Sequence, residues 1–252
     1  MKIMYLGIAT WPSWEVAAKK MWIWRKSIDR FKYRFFYYGV GIPYWPGYRI
    51  QKVEVPLEHL KRYGWGDCTH ILYTDCCDCL MLAPQGEIEA KYEAMGCPPM
   101  VISGAPNLAN VSDPLRYPIF EQTAEPFRYP VVGGYLMEAQ VFVDYLQTIH
   151  DRYPADDPRY GDDCFALYDG ITEGVFKPKV DTDCEIWMVR GEGYMETVED
   201  GGLRRIRNTA TGKLPAIWHN SGGYADPVSY RDESMIPMAE RLGIIAPGEQ
   251  CQ

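Results

Sequence analysis

The chain has 252 residues, of which 47% are hydrophobic and 24% are charged, and its formal net charge is -8. This is the composition of an ordinary globular protein, and the negative charge excludes a protein whose whole surface grips nucleic acid or anionic lipid. No apolar run approaches the roughly 18 residues that span a bilayer, and the amino terminus does not have the pattern of a secretory signal. The eight cysteines lack metal-site spacing and indicate buried thiols in a reducing compartment. We therefore predict a cytoplasmic protein of a bacterium or a virus-infected cell, with no membrane partner.

In chain order, the first half alternates between strand and helix patterns. The apolar run from Ile3 to Ile8 predicts a strand, and apolar positions at steps of three and four predict one helix from Trp14 to Phe31. Strands are predicted next at 34–40, 71–74 and 100–103, with helices at 55–63 and 85–95. This alternation predicts an α/β fold with a mostly parallel sheet flanked by helices and a ligand site beyond the carboxyl ends of the strands.

The second half is less regular. Residues 107–130 are rich in proline, asparagine and aromatic residues, which predicts a long functional loop. A strand is predicted at 131–137, a helix at 138–150, and a helix start at Asp162 and Asp163. Because no composition break marks a linker, we predict a single domain over residues 1–252.

An acidic pair at the end of the 71–74 strand is the most informative feature. Asp75 and Asp78 lie three residues apart at the carboxyl edge of a buried strand, in the run LYTDCCD. Two hard oxygen ligands with open coordination positions suit Mn²⁺ or Mg²⁺ shared with the phosphates of a nucleotide. The alternative is that both acids cap the next helix or lie in a solvated turn.

Three other groups are candidates for the same site. Asp162 and Asp163 precede a helical pattern, where they would act on a ligand or serve as an N-cap. His219 and Asn220 follow an apolar pair and precede two glycines that let backbone approach a ligand, although a lone histidine also fits a structural role. Small residues from Gly7 to Thr10 end the first strand.

Together these pieces resemble the GT-A glycosyltransferase domain of the procollagen lysyl hydroxylases and related hydroxylysine glycosyltransferases. The matching segments occur in the family's order along almost the whole chain: IAT at 8–10, LYTDCCD at 72–78, PVVGGYLMEA at 130–139, DDCFALY at 162–168 and WHNSG at 218–222. The resemblance implies a GT-A-like (Rossmann-like) sheet, a uridine-diphosphate (UDP) sugar as donor, and Mn²⁺ or Mg²⁺.

The resemblance also assigns roles residue by residue. Asp75, Asp78 and His219 would hold the metal, with Asp75 also contacting the donor. The donor would further contact residues of the first strand's end and of the late turn, namely Ala9, Thr10, Asn220 and Gly222. Asp162 and Asp163 would be catalytic and face the reacting sugar, where a carboxylate accepts the proton of an acceptor hydroxyl.

The sequence departs from the family pattern at several positions. The tyrosine of the family's TDxYD is Cys77, the Asn-Ser before the glycine pair is Val131-Val132, and the glutamine after the acidic pair is Cys164. These changes leave the identity of the sugar and of the acceptor open. No hydroxylase portion follows, so we expect a free-standing transferase.

The acceptor has three candidate classes: DNA, a protein side chain or a glycan hydroxyl. Basic residues interleaved with aromatic ones between Lys19 and Arg34, and again at Arg204, Arg205 and Arg207, would suit a phosphate backbone and so a hydroxymethylpyrimidine in viral DNA. The alternative for both stretches is a solvated basic face.

Two readings compete with an active transferase. One is a zinc-binding interaction protein that uses the residues Cys68, His70, Cys76, Cys77 and Cys79. The other is a nucleotide-sugar binding module that has lost its activity.

Overall fold

The structure is a computed structural model. It describes the backbone of residues 1–9, 11–41, 50–108, 117–122, 124–153, 163–190, 193–221 and 235–251, and the side chains of these residues apart from 50, 51 and 163.

The described strands are β1 (Ile3–Ile8), β2 (Phe35–Tyr38), β3 (His70–Asp75), β4 (Cys79–Met81), β5 (Met100–Ala105), β6 (Tyr129–Glu138), β7 (Lys179–Asp181), β8 (Trp187–Val189), β9 (Met195–Asp200), β10 (Leu203–Asn208) and β11 (Ile217–His219). The α-helices with both ends in the described residues are α1 (Trp14–Lys20), α2 (Trp22–Arg30), α3 (Val55–Tyr63), α4 (Gln85–Ala94), α5 (Ala139–Arg152) and α6 (Asp163–Thr172), and residues 235–241 are also helical. A π-helical turn, Ile50–Glu54, precedes α3, and a 3₁₀ turn, Pro118–Glu121, precedes β6. None of these helices has the length and apolar character that crossing a bilayer requires.

The central sheet has six strands in the order β2-β1-β3-β6-β5-β7. Strand β1 pairs in parallel with β2 and β3, and β5 pairs in parallel with β7. Strand β6 alone runs the other way, antiparallel to both β3 and β5. Helices pack on both faces, so the predicted α/β architecture with a mostly parallel sheet is confirmed.

The first βα unit lies where the sequence predicts it, but its helical part is divided into two helices. The Ser13 side chain accepts a hydrogen bond from the Val16 amide at 3.3 Å, which fixes the start of α1. Apolar positions at the predicted steps of three and four, Ala17, Met21 and Trp24, are buried in one cluster with residues of β1 and β3. The single helix predicted from 14 to 31 is wrong, however, because the chain breaks at Met21 (φ -98°, ψ 5°) and α2 begins one residue later.

A second, three-stranded sheet in the order β4-β11-β8 was not predicted. Strand β11 pairs antiparallel with β4, where His219 lies opposite Cys79, and in parallel with β8, where it lies opposite Val189. This small sheet carries a late segment of the chain back to the end of β3. It therefore decides what surrounds the acidic pair.

The hairpin β9–β10 is tied to the body of the protein by one buried cation. The Arg205 guanidinium is 4% exposed and forms two hydrogen bonds with Glu87 of α4, at 2.6 and 2.9 Å. A third bond, at 3.1 Å, goes to Asp200 at the end of β9. The same guanidinium donates from Nη2 to the Leu214 and Pro215 carbonyls at 3.2 and 3.3 Å, whereas its Nε atom is buried without a partner. The buried charge is thus held by its two terminal nitrogens.

Candidate active site

Asp75 is the last residue of β3, and both of its carboxylate oxygens are engaged. Oδ1 accepts a hydrogen bond from the Tyr73 hydroxyl at 2.7 Å, and Oδ2 lies 3.1 Å from the Lys52 ammonium. Burial, together with the charge of Asp75, raises the pKa of Tyr73 well above its ordinary value, so the phenol remains a donor. Neither Tyr73 nor Lys52 was singled out from the sequence.

His219 reaches the acidic pair because β11 pairs with β4. Its Nε2 atom lies 3.4 Å from Oδ2 of Asp78 and 3.8 Å from Oδ2 of Asp75, and the residue is 2% exposed. The backbone of the next residue is fixed too, since the Asn220 amide donates to the Asp78 carbonyl at 2.7 Å. The structure thus brings His219 to Asp75 and Asp78, from which it lies far away in sequence.

Arg190, at the carboxyl end of β8, holds the same turn from the other side. Its amide donates to the His219 carbonyl at 2.8 Å, and its Nε donates to the Ser221 carbonyl. Its φ of +57° is in the left-handed region that non-glycine residues rarely adopt, and such backbone is concentrated at ligand sites. No feature of the sequence indicated this role.

Two adjacent glycines of β6 form the floor beneath this cluster. A Cβ atom on Gly133 would lie 1.7 Å from Cε1 of His219, and one on Gly134 would lie 2.5 Å from Nε1 of Trp187. The imidazole and the indole therefore lie directly against the backbone of β6. The glycine pair is required because any larger residue would occupy the volume of these rings.

The residues present fit a divalent cation. Asp78, Cys79 and His219 each offer one ligand atom, and these atoms lie within 4.8 Å of one another. The Nδ1 atom of His219 is buried without a hydrogen-bond partner, which is costly unless the ring serves another purpose. Carboxylate oxygen and imidazole nitrogen are ligands that Mn²⁺ accepts, whereas burial and the charges of Asp78 and Asp75 raise the pKa of the Cys79 thiol and weaken it as a ligand.

The structure describes only some of the other predicted site residues. Ala9 follows β1 and is fully buried, its amide donating to the Tyr38 carbonyl at 2.9 Å. Asn220 is 2% exposed beside the acidic pair. Helix α6 begins at Asp163, as expected from the sequence. Thr10, Asp162, Gly222 and the side chain of Asp163 lie outside the described residues, so their roles stay predictions.

The cysteine-rich set proposed for zinc is not brought together in the described part of the chain. Cys76 lies on the β1 side, where its Sγ would be 2.2 Å from a Cβ on Gly7. His70 uses Nδ1 in a contact of 2.8 Å with the Thr69 hydroxyl. Burial raises the pKa of the Cys76 thiol well above its ordinary value, which favours the neutral form. Of the proposed set, only Cys79 belongs to the candidate metal group.

The second basic stretch proposed for an acceptor is engaged within the protein. Each of its arginines pairs with a carboxylate: Arg204 with Glu199 at 3.0 Å, Arg205 with Glu87 at 2.6 Å, and Arg207 with Glu196 at 3.0 Å. In the first stretch, Lys26 pairs with Glu249 at 2.8 Å. These pairs favour the solvated basic face over a surface that binds phosphate.

Comparison with known proteins identifies the fold. No protein-family profile and no curated protein matches the chain. A solved structure of a glycosyltransferase involved in the glycosylation of the major capsid of PBCV-1 is similar, with a TM-score of 0.52 at 11% identity over 94% of this chain and 100% of that one. The fold is GT-A-like, as expected from the sequence. The 4-diphosphocytidyl-2C-methyl-D-erythritol synthase of Anaerococcus prevotii matches at a TM-score of 0.39 and 12% identity, over 71% of this chain and 87% of that one.

Proposed function

We propose that the protein is a metal-dependent glycosyltransferase that moves a sugar from a UDP-sugar to an acceptor hydroxyl. The observation that carries the proposal is the convergence of His219 with Asp75 and Asp78 at the carboxyl edge of a GT-A-like sheet. The ligand crevice of open α/β sheets lies at this edge. A purely structural histidine would not need two carboxylates beside one ring nitrogen and an unpartnered second nitrogen.

The metal ligands define the chemistry of the proposed site. Asp78 and His219, with Asp75 beside them, would hold Mn²⁺ or Mg²⁺ against the donor diphosphate, and the bound ion would supply Lewis-acid stabilisation of the charge that develops on the leaving group. In the transfer, the acceptor oxygen forms a bond to the anomeric carbon while the bond from that carbon to the diphosphate oxygen breaks. The electron pair of the broken bond stays on the diphosphate, and Asp162 or Asp163 takes the acceptor proton.

The donor and acceptor are assigned by resemblance and by chemistry. UDP-sugar and the binding roles of Ala9, Thr10, Asn220 and Gly222 follow from the motifs shared with the hydroxylysine glycosyltransferases. A protein or glycan hydroxyl suits the internally paired basic residues better than DNA does. Resemblance in fold to an enzyme that acts in capsid glycosylation supports the same choice.

The test is a screen of UDP-sugars for release of UDP with Mn²⁺, Mg²⁺ or EDTA. We expect release with at least one sugar, its loss in EDTA, and its loss in Asp78→Ala. Asp67→Ala is the matched control, because Asp67 is an exposed aspartate that pairs with Lys2 at the surface. Equal release in EDTA would refute metal dependence, and tightly held zinc with no response to Mn²⁺ would favour the zinc-binding alternative.

A further inference from the structure

Arg190 is fixed by three hydrogen bonds to the segment that carries His219. Its amide donates to the His219 carbonyl at 2.8 Å, its carbonyl accepts from the Trp218 indole at 2.9 Å, and its Nε donates to the Ser221 carbonyl. Because β8 and β11 are parallel, Arg190 lies at the carboxyl end of the same small sheet as His219. This is the end at which the imidazole meets Asp78.

The backbone of Arg190 has an unfavourable conformation for a residue with a side chain. Its φ of +57° lies in the left-handed region, where glycine is the usual residue. Two other residues with such a φ, Lys32 and Cys97, come shortly after the ends of α2 and α4, where this conformation is a common cap. Arg190 follows a strand instead, so helix capping does not account for it. Strained backbone of this kind is concentrated at ligand sites, which points to a need for this side chain.

The guanidinium of Arg190 has donors without a partner in the part of the chain that the structure describes. Its Nε is bound to the Ser221 carbonyl, whereas Nη1 and Nη2 form no hydrogen bond or ion pair with a described residue. The arginines of the β9–β10 hairpin, in contrast, all pair with carboxylates. Two parallel N–H groups presented from a fixed position match the oxygens of a phosphate.

We propose that Arg190 binds the diphosphate of the donor through Nη1 and Nη2. The inference rests on the function proposed above. The departing diphosphate gains negative charge as its bond to the sugar breaks, and a guanidinium bound there stabilises that charge. Lys52, a second cation at the site, is already paired with Asp75 at 3.1 Å. Arg190 therefore supplies the positive charge on the side of the site where the turn after His219 lies.

The experiment compares the affinities of the protein for UDP and for uridine, measured by calorimetry at saturating Mn²⁺. Arg190→Gly removes the guanidinium, keeps the backbone groups that bond to His219 and Trp218, and suits the left-handed φ. We expect UDP to bind roughly 10- to 100-fold more weakly in this variant, as for the loss of a charged, bidentate hydrogen bond. The affinities for uridine and for Mn²⁺ without nucleotide should stay unchanged. Arg190→Lys keeps the charge without the fork and should lose less UDP affinity.

Lys32→Gly is the matched control. Lys32 is an exposed cation with a φ of +58°, and it precedes the amino end of β2, at the opposite edge of the central sheet from Asp75. The control thus removes the same charge from the same backbone conformation. It should leave the affinities for UDP, uridine and Mn²⁺ unchanged, and circular dichroism should show every variant to be folded.

The outcomes separate this inference from the function on which it rests. If the wild type binds UDP with Mn²⁺ and Arg190→Gly binds it equally well, the guanidinium does not contact the diphosphate, and the inference is refuted while the proposed function stands. If uridine or Mn²⁺ alone is weakened by the same factor as UDP, Arg190 acts only through the turn after His219, which also refutes the inference. A wild-type protein that binds neither Mn²⁺ nor UDP overturns both.

Discussion

Replacing Gly133 with alanine tests whether the glycine floor holds His219 in a ligand position. The added Cβ would lie 1.7 Å from Cε1, 2.4 Å from Nδ1 and 2.6 Å from Nε2 of His219. Carbon atoms in contact are separated by about 3.5–4.0 Å, so the ring must withdraw by roughly 2 Å. That displacement is more than half of the 3.4 Å that separates Nε2 from Asp78.

The expected losses follow from this displacement. Metal–ligand distances tolerate only about 0.2 Å, so His219 should leave the ligand set and Mn²⁺ affinity should fall roughly 10- to 100-fold. This drop corresponds to about 1.4–2.8 kcal/mol of binding free energy. Overpacking should also lower the free energy of unfolding by about 1–3 kcal/mol.

The neighbouring glycine supplies the control. Gly134→Ala creates a clash of similar kind, 2.5 Å from Nε1 of Trp187, and the three atoms nearest to its Cβ all belong to Trp187 rather than His219. Urea unfolding should show both variants destabilised, while Mn²⁺ titration should show a loss of affinity only in Gly133→Ala. A folded Gly133→Ala protein with wild-type Mn²⁺ affinity would show that the imidazole is not a ligand.

Three further predictions concern other parts of the molecule. Arg205→Met should lower the free energy of unfolding, measured in urea, by about 3 kcal/mol, because Glu87 loses its buried partner. Arg204→Met is the control: the Arg204 side chain is 57% exposed, so its loss should change the free energy of unfolding by less than about 0.5 kcal/mol. Burial raises the pKa of Asp181 from 3.8 to about 6, although three backbone amides that donate to its carboxylate act to lower it. The folded state therefore binds the proton more tightly than the unfolded state. Stability should therefore fall by about 2 kcal/mol as pH rises from 4 to 6, out of about 3 kcal/mol over the whole titration, and urea titrations of Asp181→Asn should lack this slope. Asp163→Asn should keep near-normal UDP affinity in calorimetry while sugar transfer drops on the order of 100-fold; unchanged transfer would return Asp163 to the role of a helix cap.

The parts of the fold that could be predicted are those with long, regular patterns. Strand β3 and helix α3 were expected close to their observed bounds, because runs of this length show their period in the sequence. The predicted helix from 14 to 31 failed at Met21 for a specific reason: α1 and α2 bury one continuous apolar stripe, and a stripe does not reveal a break in the backbone beneath it. The antiparallel direction of β6 likewise leaves no local signal.

The second sheet lies beyond such reasoning. Its strands β4, β8 and β11 have three residues each, too few for a period to be read, and they pair across most of the chain. The contacts that depend on it were missed as well, including the support that Arg190 gives to the turn after His219. Lys52 was missed because a single lysine within a π-helical turn has no distinguishing pattern in the sequence.

The acidic pair alone therefore underdetermines the chemistry of the site. A DxxD motif at a strand end places two carboxylates, but the third group depends on the register of β11 against β4, where His219 lies opposite Cys79. A slip of one residue would turn the imidazole to the other face of the strand and bring Trp218 to the carboxylates instead. Only a residue without a side chain at position 133 leaves room for the imidazole in this register. The segment Trp218–Asn220 and the pair Gly133–Gly134 are therefore required together, because the ring of His219 fits only over a glycine. This requirement explains why the sequence carries both segments although the local structure of neither demands it.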